Sequence, residues 1–301
     1  MPTPNAATLE DHRARMRKVL RYLEERLDEP IELDELAGVA AYSPHHFHRI
    51  FTGMVGESVK SHTRRLKLER AAWRLRFQSG RVTDIGLDAG YESLEAFSRA
   101  FRAAFGVSPT RCRAEARRAG ASKDKESWPR HEFHPLQGAP DMQPEIKRID
   151  PFYVASVRHV GPYSECEKAW GALCAWAGPL GLLGPRTRFL GLCHDDPEIT
   201  PPDKIRYDAC CTLPDSAAVQ RARDSATGDA LVRELPGQEC ACVVHKGAFS
   251  GLAATYAWLC GVWIPEQGRE IATAPSLEIY LNDPKTTPPD ELLTEVLVPL
   301  I

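Results

Sequence analysis

From residue 9 to residue 28 the apolar side chains recur at helical spacing. Met16, Val19, Leu20, Leu23 and Leu27 share one face, which predicts an amphipathic helix stopped by Pro30. The next stretch, IELDELAGVAAYSPHHFHRIF, divides into a short helix carrying Leu33, Leu36 and Ala37, a turn from Gly38 to Tyr42, and a second helix. Ser43 suits the N-cap of that second helix and Pro44 its first position. Phe47, Ile50 and Phe51 form its inward face, which leaves His45, His48 and Arg49, at i, i+3 and i+4, as an outward cationic face. A short helix with such a face after a tight turn is what reading the DNA major groove requires.

The pattern returns about fifty residues later. In VTDIGLDAGYESLEAFSRAFRAAFGVSPTRCR, Ser93 repeats Ser43, and Phe97, Ala100 and Phe101 repeat Phe47, Ile50 and Phe51. Leu94, Glu95, Ser98 and Arg99 become the second outward set. Between the two units, ESVKSHTRRLKLERAAWRLRF predicts one long basic helix ending near Ser79 and Gly80. A rigid helix of that kind holds two reading helices in successive major grooves, about 34–36 Å apart. From Gly120 to Pro144 the chain is rich in Gly, Pro, Ser and charge, has neither hydrophobic period, and reads as a linker.

Beyond the linker, short β-branched or aromatic runs alternate with helical stretches, and the sequence repeats at an offset of 86–88 residues. RHVGPYS from Arg158 answers VHKGAFS from Val244, Ala169-Trp170 answers Ala257-Trp258, and Asp196-Pro197 answers Asp283-Pro284. Each copy reads strand, His-x-Gly-x-aromatic turn, helix, strand, Pro-rich loop, strand, with strands expected at 153–157, 240–244, 277–281 and 295–300. The expected fold is therefore multidomain. An all-α tandem helix-turn-helix domain (1–119) is followed by a linker (120–144) and an α+β domain (145–301) of two pseudo-symmetric strand-helix-strand-strand repeats. A pseudo-twofold pairing of the copies leaves a cleft, where ligand pockets commonly form.

Glu278 stands out in that domain. Its counterpart in the first copy is Gly191, so a carboxylate breaks the repeat in an otherwise apolar strand. Burying such a charge is costly unless something pairs with it, and a cationic ligand between aromatic faces offsets the cost. Tyr163, Phe249 and Tyr280 are its expected walls, with Trp176 and Trp263 as further candidates.

Charge changes the picture of the two halves. The net charge of −3 divides into residues 1–125, with 23 Lys and Arg against 17 Asp and Glu, and residues 126–301, with 15 against 24. A basic half joined to an acidic half suits a polyanionic partner at one end only. The N-terminal sequence has no signal-peptide core and no run is long enough to span a bilayer, so a cytoplasmic protein without a membrane partner is expected. The nine cysteines are scattered and odd in number, which suits buried thiols better than a disulfide framework, a metal site or a redox pair. No cofactor fingerprint, phosphate-binding loop or Ser/His/Asp arrangement is present, and no metal site, cofactor or catalytic residue is expected.

Residues 12–113 resemble the AraC-type DNA-binding domain. The likeness is most specific in DIGLDAGYES, FSRAF and FGVSPTRCR, and is repeated in LDELA, SPHHFHRIF and GESV. It implies seven helices and base-edge reading by His45, His48, Arg49, Leu94, Glu95, Ser98 and Arg99. Arg49 and Arg99 suit bidentate pairing with guanine. Arg64, Arg65 and Lys67 are candidate phosphate contacts. Residues 145–301 resemble the GyrI-like effector-binding domain, most specifically in HKGAF, WIP and LEIYLNDP. That resemblance implies a small-molecule effector, often a bulky aromatic or cationic one of the multidrug kind, with Glu278 as the buried negative charge. Together the two imply a ligand-responsive transcription regulator on double-stranded DNA, with RNA polymerase as a partner if it is an activator. Two other readings of the C-terminal half stay open: hydrolysis of an electrophilic small molecule using Glu278, and a protein-interaction module.

Overall fold

The computed structural model describes residues 4–118, 135–137, 142–197, 200–225 and 229–301, without the side chains of residues 4–6 and 45. Most of the expected linker, 120–144, lies outside the described residues.

The first part is helical: α1 (Pro4–Glu25), α2 (Leu33–Ala40), α3 (Pro44–Val55), α4 (Val59–Phe77), α5 (Val82–Asp88), α6 (Leu94–Phe105) and α7 (Pro109–Arg118). α2–α3 and α5–α6 are the two helix-turn-helix units, and the basic helix α4 joins them. Their punctuation differs in chemistry. The turn after α5 places Gly90 at φ 85°, whereas the turn after α2 forces Ala41 to φ 54°, a region that costs a residue with a Cβ. Ser93 caps α6 by accepting the Ala96 N–H at 3.1 Å. Ser43 stands at the same place before α3, but its side chain makes no cap bond.

The second part is one antiparallel sheet of eight strands. They are β1 (Glu145–Ile149), β2 (Phe152–Val160), β3 (Phe189–Cys193), β4 (Arg206–Leu213), β5 (Ala230–Leu235), β6 (Gln238–Lys246), β7 (Ser276–Tyr280) and β8 (Leu293–Pro299). Their order is β1-β6-β8-β7-β3-β4-β2-β5. Helices α8 (Glu167–Ala177) and α10 (Leu252–Trp258) follow the His-x-Gly turns, α9 (Ser216–Asp224) follows β4, and α10 continues through a π-helical turn, Leu259–Trp263. The repeated histidines brace those turns: His159 Nε2 donates to Pro162 O at 2.9 Å and His245 Nε2 to Ala248 O at 3.2 Å. The glycines between take φ 143° and 132°, which a side chain would oppose.

The sheet holds more than the expected strands. β1 and β5 are the outer strands, and each pairs with a strand beyond its own copy, β1 with β6 and β5 with β2. Both are short and half-exposed, so their apolar pattern is weak. α9 is a further addition, capped by Asp215 on the Ala218 N–H at 2.8 Å.

One core is confined to the helical part and another is shared between the helical and sheet parts. Leu68, Leu75, Ile85, Phe97 and Phe101 of α4–α6 form their own cluster. Met16, Leu23, Leu36, Phe47, Ile50 and Phe51 of α1–α3 instead share one cluster with Val243, Tyr256, Leu259, Cys260, Val296 and Val298 of the sheet part. The tightest approach is between α3 and the π-turn. A Cβ on Gly53 would stand 2.0 Å from Ala257 O and 2.7 Å from Gly261 Cα, so the two backbones touch directly. Leu136 adds a hydrogen bond from its N–H to Gly53 O at 2.9 Å. Among the described residues no helix is long and apolar enough to cross a membrane.

Candidate functional site

Helices α3 and α6 present the residues of their expected outward sets differently. On α6, Leu94, Glu95 and Arg99 are exposed and Ser98 is half-buried. On α3, His48 is 5% and Arg49 6% exposed, which corrects the expectation of an outward face there. The helical period identified the right face of α3, but α10 and the π-turn, some two hundred residues later, pack on it. The His45 side chain lies outside the described residues. His46 is buried too. Its Nε2 donates to Ala272 O at 2.9 Å, and burial together with the Arg49 charge pushes its imidazole down to about 4.

Among the expected phosphate contacts, Arg64 is exposed, with its Nε 3.3 Å from the Tyr91 hydroxyl. Arg65 is held by Glu57 at 2.6 Å and Glu69 at 2.8 Å, so its charge is already partnered within the fold. Lys67 lies with Arg64 and Lys60 along an open groove of about 690 Å³ between the two units.

The second cluster centres on Glu278, which is 8% exposed. Strand alternation puts Ser276, Glu278 and Tyr280 of β7 on one face. β3 lies opposite, with Gly191 paired to Glu278 and Cys193 to Ser276. Tyr256 and Tyr280 each donate a hydroxyl to one Glu278 carboxylate oxygen, both at 3.1 Å. Burial first, and the Glu278 charge second, push the neighbouring Cys193 thiol well up. The Tyr280 hydroxyl lies 2.8 Å from that of Tyr207. Gly191 makes this possible, since a Cβ there would stand 2.4 Å from the Tyr207 ring. Burial first, and the Glu278 charge second, push the Tyr256 and Tyr280 phenols well up, so both remain donors.

Aromatic rings close round this group. Phe249 and Trp170 each meet Tyr280 edge-on, at 5.6 and 5.7 Å, and Tyr163 meets Tyr207 at 5.6 Å. Tyr163, Phe249, Tyr280 and Glu278 are thus brought together. Trp176 is not, for its Nε1 donates to Ser225 O at 3.0 Å at the C-terminal end of α9, and Trp263 packs against the shared core. Sequence reasoning missed Tyr207, Tyr256, Trp170, Cys193 and Ser276. The signal that flagged Glu278 was available for Tyr256, which the repeat aligns with Lys168. Ser276 was legible from the same strand alternation.

The two clusters meet at Arg49. Its guanidinium carbon lies 3.8 Å from the Tyr256 ring centroid, over the ring whose hydroxyl binds Glu278. Nη1 donates to Ser276 Oγ at 3.3 Å, and Nε lies 3.8 Å from Asp196 Oδ2. His48 Nδ1 sits 3.3 Å from the same Asp196 oxygen. A desolvated cation–π contact of this kind contributes about 2 kcal/mol or more.

Residues 142–301 match the family described as a GyrI-like small molecule binding domain, and residues 36–115 match a helix-turn-helix domain. The uncharacterized HTH-type transcriptional regulator YbfP of Bacillus subtilis (strain 168) is 33% identical over 129 residues, 40% of this chain and 44% of that one. The right origin-binding protein of Escherichia coli (strain K12) is 34% identical over 94 residues, 31% of this chain and 32% of that one. The match spans less than half the length of these curated relatives. Among solved structures, the EcmrR–DNA complex is 21% identical with a TM-score of 0.45, covering 53% of this chain and 57% of that one.

Proposed function

The chain belongs to the family with a GyrI-like small-molecule-binding domain, behind an AraC-type helix-turn-helix region, and on that premise we propose that it is a sequence-specific transcription regulator answering to an aromatic or cationic effector. In this reading residues 1–119 bind double-stranded DNA in the cytoplasm, residues 120–144 link, and residues 145–301 bind the effector. RNA polymerase is a partner if the regulator activates. Arg99, with Leu94, Glu95 and Ser98, reads base edges; Arg49, His48 and His45 do so when α3 is free; Arg64 and Lys67 meet phosphates.

The observation that carries the effector reading is the Glu278 site. A carboxylate at 8% exposure, held by two tyrosine hydroxyls and ringed by Tyr163, Phe249 and Trp170, is suited to an aromatic cation. We take the sheet part to be two copies about a pseudo-twofold axis. Its strand order supports this, because exchanging β1–β4 with β5–β8 reproduces the same order read backwards. The axis passes between β3 and β7, where Gly191 faces Glu278.

Both Glu278 oxygens face tyrosine hydroxyls rather than open water, which favours a sensor over a hydrolase. The test is binding of benzyltrimethylammonium, and of phenyl acetate as an electrophile, to the full chain. The reading expects the ammonium to bind, Glu278→Gln to weaken it at least about tenfold, and phenyl acetate to be recovered intact. Glu278-dependent hydrolysis of the ester would favour the enzyme instead.

A further inference from the structure

The arginine that the first reading helix would offer to guanine is, in this structure, the cation seated on Tyr256. We propose that Arg49 is a built-in occupant of the Tyr256–Glu278 site, so that the chain holds its first reading head against its own sensor until an aromatic cation displaces it. This rests on the reading of Glu278 as the effector site.

Three independent features support the lock. The docked face of α3 is the reading face: His48 and Arg49, 5% and 6% exposed, occupy the positions that Ser98 and Arg99 hold on α6. One guanidinium cannot stack on a phenol ring and pair with a guanine at once, so docking and reading exclude each other. The second feature is chemical. An aromatic face whose hydroxyl is tied to a buried carboxylate is what a cationic ligand needs, and Arg49 meets it at 3.8 Å, with Ser276 completing a polar seat. The third is steric. α3 reaches this depth only because Gly53 faces Gly261. Glycine is unfavourable inside a helix, and groove reading gives no reason for one there. The corresponding residue of α6 is Ala103, which is exposed.

Reciprocity follows. DNA and effector both favour the undocked helix, so each strengthens binding of the other.

The full-length chain provides its own reporter. Cys260 is fully buried in the π-turn on which α3 packs, and Cys240 is fully buried in β6 within a different cluster. Alkylation of Cys260 with Cys240 still protected therefore reports undocking without unfolding. Two variants open the lock differently: Gly261→Val wedges the backbones apart, and Tyr256→Leu removes the seat.

With a duplex selected from a random library by the wild-type chain, both variants are expected to speed Cys260 alkylation and tighten DNA binding about tenfold or more. Benzyltrimethylammonium should do the same to the wild type and not to Glu278→Gln. Cys260 alkylation that rises in either variant without tighter DNA binding overturns the lock. So does continued protection of Cys260 in both. If the ammonium binds in a Glu278-dependent way yet leaves Cys260 protected and DNA affinity unchanged, the effector reading stands and the displacement is overturned. If it binds neither the wild type nor Arg49→Ala, where the seat is vacated, the effector reading itself fails. Tighter DNA binding by Gly261→Val would then still support the docked, inhibitory head.

Discussion

α3 and α6 both follow a serine, bury two phenylalanines four residues apart, and carry an arginine two residues after the first of them. Yet α6 keeps Leu94, Glu95 and Arg99 at the surface, while His48 and Arg49 of α3 are covered by the sheet part. The positions that make the two helices alike are those that fold a helix-turn-helix unit. The positions that separate them, Gly53 against Ala103 and His46 against Ala96, let one docking surface form and not the other. Equivalence of motif therefore does not carry equivalence of exposure. The first unit shares its core with the sheet part, and the second has a cluster of its own.

Core truncation should break this comparison most forcefully. Phe47→Ala and Phe97→Ala each remove a fully buried ring, at a cost of about 3–5 kcal/mol. The losses should be distributed differently. Phe47→Ala should speed amide exchange in β6 and β8, which share its cluster, whereas Phe97→Ala should leave those strands unchanged.

Acidification comes next. His46 is pushed down to about 4 while docked, so the docked form binds fewer protons than the undocked or unfolded one. Its contribution is complete above the ordinary histidine value near 6.5 and is lost as pH falls towards 4, reaching about 3 kcal/mol at the bottom of that window. Arg49 and Asp196 act on the same imidazole in opposite directions. The alkylation rate of Cys260 relative to that of exposed Cys174, which cancels the loss of thiolate common to both, should rise from pH 7 to pH 4 in the wild type and less so in His46→Gln. The second head, with Ala96 at that place, offers no such titration.

Arginine removal sharpens the contrast on DNA. Arg99→Ala should reduce discrimination between selected and scrambled duplex by about 1–3 kcal/mol. Arg49→Ala should lose less, because the same substitution also removes contacts from the docked form. Equal losses in a competition assay would mean that docking does not oppose reading.

The smallest effect is in the turns. Ala41→Gly relieves a positive φ and should raise thermal stability by up to about 1 kcal/mol, while Gly90→Ala imposes that strain and should lower it by about 1–2 kcal/mol.

Much of this was legible in the chain. Helical period and turn chemistry locate both helix-turn-helix units, and the internal repeat isolates Glu278 before any coordinates. The outer strands β1 and β5 were hidden because half-exposed edges need little apolar pattern. The docking of α3 was hidden for a deeper reason. A period tells which face of a helix is polar, not what covers it, and Arg49 can be buried because Tyr256, Ser276 and Asp196 receive it from distant parts of the sequence. Gly53 was the available hint, as a glycine within an otherwise ordinary amphipathic helix.

Native-state hydrogen exchange in mild urea shows which elements open together, and so whether α3 opens with the sheet part or with the second unit. α3 should exchange in one cooperative unit with α10 and β6, at a higher opening free energy than α5 and α6. Opening of α3 together with α5 and α6, ahead of α10, would contradict that expectation.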